Sequence, residues 1–170
     1  MKSIQGGHKR KGLMVYLAAF FLVLSVVSYL FPFLGEKLPD GSAVYFSSIK
    51  LLFGGDDSIS KDGYVYSFHY NLNLPILIVL FVELVAVMAA LAGRNAPRHI
   101  GICATLSLMA MIGLCFSRKF ASIVNESLIH DSLLLGPGYF LAIAMAALGS
   151  IIAFVELGFC IAYWKKKTAF

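Results

Sequence analysis

Four long apolar runs constrain this chain more than any other feature: Leu13 to Phe33, Leu74 to Ala92, Ile100 to Phe116, and Tyr139 to Trp164. A helix that crosses a bilayer needs about 20 mostly apolar residues, and each run approaches or exceeds that length. Of the 170 residues, 59% are hydrophobic and 14% charged, against about a quarter charged in an ordinary soluble domain. One small core could not hide so much apolar surface. The sequence therefore predicts an all-α membrane protein, a four-transmembrane-helix bundle making one integral membrane domain over residues 1–170. Lys9-Arg10-Lys11 before the first run resembles the start of a signal peptide. The apolar core that follows is too long for one and lacks a small-residue cleavage site, so it reads as a retained first span.

Basic residues give the bundle a direction. Lys2, Lys9, Arg10, Lys11, Arg94, Arg98, Lys165, Lys166 and Lys167 occupy the amino terminus, the turn after the second run and the carboxyl tail, which carry no Asp or Glu. The other two connecting segments, about 35–72 and 118–135, mix five basic with seven acidic residues. Lysine and arginine accumulate on the cytoplasmic side of membrane proteins. Both termini are expected inside, in the plasma (cytoplasmic) membrane. The basic residues form no continuous patch interleaved with aromatics, which argues against a nucleic-acid partner.

The first outside segment is too long for a plain connection and should carry structure. Tyr64, Tyr66, Phe68, Tyr70 and Leu72 alternate with Val65, Ser67, His69 and Asn71, the period of a strand with one aromatic face. That face either packs on the outer end of the bundle or binds a partner or ligand. Residues 42–53 read as a partner strand or a short amphipathic helix, with Gly54-Gly55-Asp56-Asp57 and Lys61-Asp62-Gly63 as turns. A small extracytoplasmic cap, a short β-hairpin or strand, is the expectation. The second outside segment reads as a short surface helix. Asn125-Glu126-Ser127 within it is a glycosylation sequon, relevant only in a eukaryotic source.

Two glutamates lie inside apolar runs. Phe81-Val82-Glu83-Leu84 recurs as Phe154-Val155-Glu156-Leu157, and Phe46-Ser47-Ser48-Ile49 is echoed by Phe120-Ala121-Ser122-Ile123. The near-equal offsets suggest a tandem duplication of two-helix halves. Counted from the nearest basic residue, both glutamates sit roughly 13–17 Å from the cytoplasmic boundary. A carboxylate at that depth is costly unless protonated, paired or wetted. Glu83, Ala86, Ala90 and Gly93 share one helical face, as do Ala146, Gly149, Ala153, Glu156 and Cys160. Small residues let membrane helices approach closely, so both faces should be helix–helix interfaces. Thr105 and Ser107 in the third run are candidate hydrogen-bond partners. Three roles are open to the glutamates: neutral packing groups, partners of a cation on another protein, or proton or cation sites.

In outline the chain resembles tetraspan junction proteins such as claudins, with four spans and a longer first outside loop of strands. The Trp-Gly-Leu-Trp motif and loop cysteine pair of that family are absent. Also absent are the paired aspartates of lipoprotein signal peptidases and the cysteine pairs of membrane thiol oxidoreductases. Cys103, Cys115 and Cys160 all fall in apolar runs, and His8, His69, His99 and His130 are scattered, which suggests no disulfide framework, metal site or cofactor. No nucleophile–base pair or phosphate loop stands out, so no catalytic residue is assigned and no enzymatic activity expected. The leading expectation is an interaction, accessory or assembly subunit in a membrane complex, joined to a membrane-protein partner or to itself. The alternative is a small homo-oligomeric proton- or cation-coupled transporter or channel using Glu83 and Glu156.

Overall fold

The computed structural model describes residues 3–37, 41–61, 64–92, 97–117, 119 and 133–168. Four long helices dominate it: α1 (Ser3–Ser28), α3 (Leu74–Ala92), α4 (Pro97–Cys115) and α5 (Pro137–Thr168). A short helix, α2 (Ser48–Phe53), and five strands lie between them: β1 (Pro32–Lys37), β2 (Ala43–Ser47), β3 (Gly55–Lys61), β4 (Tyr64–Tyr70) and β5 (Leu133–Leu135). Helix α1 packs on α3 and α5, and α4 packs on α3 and α5.

These helices are apolar on their outer faces as well as their inner ones. On α3, Ile76, Val79, Glu83, Ala86, Val87 and Ala90 are buried, while Ile78, Phe81, Leu84, Met88 and Leu91 are exposed. A helix apolar all round belongs in a large core or in lipid. Three helices are long and apolar enough to cross a membrane: α3, α4, and α5 from Pro137 to Tyr163. The apolar part of α1, Leu13–Ser28, is shorter than the run in the sequence. The difference lies at its carboxyl-terminal end, next to β1. Tyr29, Leu30 and Phe31 donate to carbonyls three residues back, at 3.2, 3.0 and 3.1 Å, which tightens and ends the helix. Pro32 then disfavours a helical Phe31, and the chain leaves as strand β1.

Helix starts follow their local chemistry. Asn73 Oδ1 accepts the Ile76 N–H at 3.2 Å, so Asn73 caps α3. Pro97 and Pro137 open α4 and α5, where a missing N–H costs nothing. Gly136 and Gly138 let α5 begin against the end of α1. A Cβ on Gly138 would lie 2.8 Å from the Ser28 carbonyl oxygen and 2.9 Å from that of Pro32.

The cap contains two antiparallel sheets. One is ordered β2-β1-β5, the other is the β3-β4 hairpin. Leu34 pairs with Phe46 on one side and Leu135 on the other. Residues 64–70 are the strand that their alternation predicts, but their partner is β3 and not residues 42–53. Residues 43–47 pair with β1, and 48–53 form α2, so that segment is a strand followed by a helix. Gly55, Asp56 and Asp57, expected in a turn, are paired in β3. Leu133–Leu135, expected at the end of a surface helix, is drawn into the sheet by β1. The rest of that predicted helix, the sequon at Asn125 and the turn at 93–96 lie outside the described residues.

Two buried clusters fill the molecule. The outer one is aromatic and joins cap to bundle: Tyr29 stacks on Phe33 at 5.0 Å, and Phe33 meets Tyr139 edge-on at 5.5 Å. The inner one is built mainly of small and branched residues, including Ala18, Ala19, Ala86, Ala90, Ala104 and Ala153.

Candidate functional site

Glu83 projects from the middle of α3 into the bundle and is fully buried. Its Oε1 is hydrogen-bonded to the Ser25 hydroxyl of α1, and Ser25 Oγ also donates to the Ala142 carbonyl of α5 at 2.9 Å. One serine thus ties three helices together. Ser28 Oγ, one turn on, donates to the Ser25 carbonyl. The Tyr29 phenol, also buried, lies within electrostatic reach of Glu83. Glu83 Oε2 and Tyr29 Oη have no hydrogen-bond partner among the described residues.

A serine hydroxyl has one hydrogen to give. It cannot serve both an ionised Glu83 and the Ala142 carbonyl. If the carboxyl carries a proton, Glu83 donates to Ser25 Oγ and Ser25 donates to Ala142, and each group in the relay is used once. A neutral carboxylic acid supplies a proton for each contact of Ser25 Oγ and a carboxylate does not; Glu83 Oε2 has no partner among the described residues in either case. No side-chain cation contacts Glu83 among the described residues.

Glu156 is also buried, at 2% exposure, on α5. It lines a small cavity of about 10 Å³ with Val15, Ala18, Ala90, Ile100, Cys103 and Ala153, residues from all four long helices. Its Oε1 accepts from the Cys160 thiol at 3.8 Å, one turn along the same helix. This cavity is about the size of a single water.

The two glutamates do not lie at one depth. Glu83 is level with Ser25 and Ala142, whereas Glu156 is level with Val15 and Ala90. At 1.5 Å per residue the two levels are on the order of 10–20 Å apart along the bundle. Distance from the nearest basic residue does not measure depth in this bundle, because α5 runs far beyond the end of α3. Equal sequence offsets therefore do not place the two Phe-Val-Glu-Leu segments equivalently: one is central in α3, the other in the second half of α5.

The small-residue faces pack as their spacing predicts. Ala86 and Ala90 are buried on the Glu83 face of α3, as are Ala146, Gly149 and Ala153 on the Glu156 face of α5, with Cys160 half-buried. The hydroxyl partners do not. Thr105 is exposed and donates to the Gly101 carbonyl of its own helix at 3.0 Å. Ser107 is buried but donates to the Ala104 carbonyl, also on its own helix, at 3.0 Å. Both hydroxyls turn back on α4, a common habit of helical Ser and Thr. The residue that partners Glu83 is Ser25. Its signal in the sequence is that Ser25 and Ser28 stand three apart in an otherwise apolar run, on one helical face.

In the cap, Tyr70 is buried against Phe46, with ring centroids 5.1 Å apart. Val65, Ser67 and His69 on the opposite face are exposed. His69 Nδ1 lies 2.6 Å from Asp56 Oδ1 across the hairpin, and both side chains are exposed. The side chains of Tyr64, Tyr66 and Phe68 lie outside those described.

No protein-family model matches this chain, and no curated protein matches it in sequence.

Proposed function

We propose that the chain is a four-span membrane protein with both termini cytoplasmic, acting without catalysis as an interaction or assembly subunit of a membrane complex. The observation that carries this reading is the outer cap. A mere link between two spans needs only a few residues. Here two sheets and α2 are fastened to the bundle through backbone bonds such as Asn73 N–H to Leu52 O at 3.1 Å and Gly136 N–H to Phe33 O at 2.9 Å. That fixed platform turns Tyr45, Ile49, Phe53 and Val65 outward, each between 47% and 68% exposed. Apolar side chains held outward on a rigid support suit recognition of another protein. The three-helix tie at Glu83 supports a structural role for that carboxyl.

The test is isolation of the tagged full chain in mild detergent, comparing wild type with Tyr45→Asp and Val65→Asp. A membrane protein present in stoichiometric amount with wild type, and lost from a variant whose melting is unchanged, is the expected result. Identical composition of the wild-type and variant complexes would overturn the assignment to the cap.

The buried Glu83 Oε2, which has no hydrogen-bond partner among the described residues, favours a second reading, a homo-oligomeric proton- or cation-coupled transporter. Ion or proton flux in reconstituted vesicles that disappears in Glu83→Gln, with folding intact, would establish it in place of the first.

A further inference from the structure

Helix α2 is six residues long and is held at both ends by the bundle. At its start, Ser48 Oγ donates to the Phe31 carbonyl, just past the end of α1, at 2.9 Å. At its other end, the Leu52 carbonyl accepts the N–H of Asn73, the residue that caps α3, at 3.1 Å. Between those anchors α2 lies across the cap ends of α1 and α3. The chain then passes beside the segment that enters α3: a Cβ on Gly54 would lie 3.1 Å from the Leu72 nitrogen.

At about 100° per residue the side chains of α2 fall into three sectors. Ser48, Leu51 and Leu52 are buried and face the rest of the protein. Ile49 and Phe53, one turn apart, are exposed on a second sector, and half-buried Lys50 takes the third. A lysine beside an apolar strip suits a helix lying at a membrane surface. The neighbours on both anchors are apolar and exposed as well: Leu30 and Phe31 after α1, Leu72 and Leu74 at the start of α3. These six side chains form a rim where cap meets bundle. From Leu74 the same side of α3 continues with exposed Ile78 and Phe81, four and seven residues on. An apolar patch of this extent marks a contact surface. Its continuity with α3, which is long and apolar enough to cross a membrane, points to lipid as the occupant.

We propose that α2 lies in the interface of the bilayer leaflet on the cap side, with Ile49 and Phe53 inserted at the headgroup ends of the acyl chains. A helix this short buries too little apolar area to bind a membrane by itself; the bonds to Phe31 and Asn73 hold it there. The proposal rests on the membrane reading of the chain but not on a protein partner. It assigns Ile49 and Phe53 to lipid and leaves Tyr45 and Val65 for recognition.

The test uses the full chain with its one tryptophan removed by Trp164→Phe and a single new tryptophan at a chosen position. Each variant is placed in phosphatidylcholine nanodiscs, where both faces of the bilayer are open to solution and insertion direction does not matter. Bromines on the acyl chains about 5–10 Å below the surface quench a tryptophan at the depth of an interfacial helix. Ile49→Trp and Phe53→Trp should each lose at least about half of their emission to the bromines and be shielded from aqueous acrylamide. Val65→Trp lies five residues from Tyr70 on β4, about 17 Å along the strand, and should be quenched by acrylamide and not by the bromines. Phe81→Trp, exposed on α3, should be quenched by the bromines wherever α2 lies. Absence of that quenching would defeat the membrane reading and the proposal with it. Quenching at Phe81 with both α2 positions open to acrylamide, or bromine quenching at Val65 equal to that at Phe53, would overturn the proposal alone.

Discussion

Replacing Ser25 by Ala is the sharpest perturbation of the bundle. The hydroxyl contacts both Glu83 Oε1 and the Ala142 carbonyl, and the site is closed to solvent. Polar contacts between membrane helices average about 0.6 kcal/mol and reach about 1.7 kcal/mol. Losing both, and leaving the carboxyl without a partner on either oxygen, should cost about 1–3 kcal/mol. Glu83→Gln should cost well under about 1 kcal/mol, because the amide N–H can donate to Ser25 Oγ as the protonated acid does. Glu83→Leu should cost about 0.5–2 kcal/mol while leaving the Ser25–Ala142 bond in place. The double variant Ser25→Ala/Glu83→Leu should then be less destabilised than the sum of its parts, since no orphaned carboxyl remains. Reversible unfolding in mixed micelles with increasing denaturing detergent measures all four. Strict additivity, or a Gln variant worse than the Leu variant, would refute the relay.

The glycines provide a matched pair. Gly149→Ala would place a Cβ 2.8 Å from Leu22 Cγ at the α1–α5 contact and should destabilise by about 1–3 kcal/mol. Gly158→Ala, with open space around it, should be neutral or stabilising by up to about 1 kcal/mol; a reversed order in micellar melts would show the contact misassigned. For orientation, in a variant with its native cysteines replaced, Ser58→Cys should react with a membrane-impermeant thiol reagent in intact cells and Arg98→Cys should not. Labelling of the second in sealed cells would invert the topology.

Patterns that depend on one element's own chemistry were legible in the sequence. The limits of α3 follow from its apolar run and the Asn73 cap, and β4 follows from strict alternation. Strand β3 was hidden because Gly55-Asp56-Asp57-Ser58 has the composition of a turn and is held in register by β4. Strand β5 was hidden because three leucines are equally at home in a helix, and only the edge of β1 decides. The small-residue faces were legible, since spacing alone puts them on one side. The partner of Glu83 was not, because a shared depth suggests Thr105 or Ser107, while the actual contact depends on the rotation of α1 against α3. The unequal depth of the two glutamates depends on helix length beyond the bundle, which charge placement does not report.

The position of β1 between β2 and β5 imposes an order on assembly. Strands β1 and β2 are close in sequence and can pair as soon as residue 47 has been made. The other edge of β1 then has unpaired backbone groups until Leu133–Leu135, nearly a hundred residues downstream. An unfinished strand edge is a template for any extended chain nearby. The newborn protein thus spends about half of its synthesis with an open seam, closed only when β5 arrives. A chain truncated after α3 would keep that seam for good, so shortened forms should be prone to pair with one another or with full-length copies.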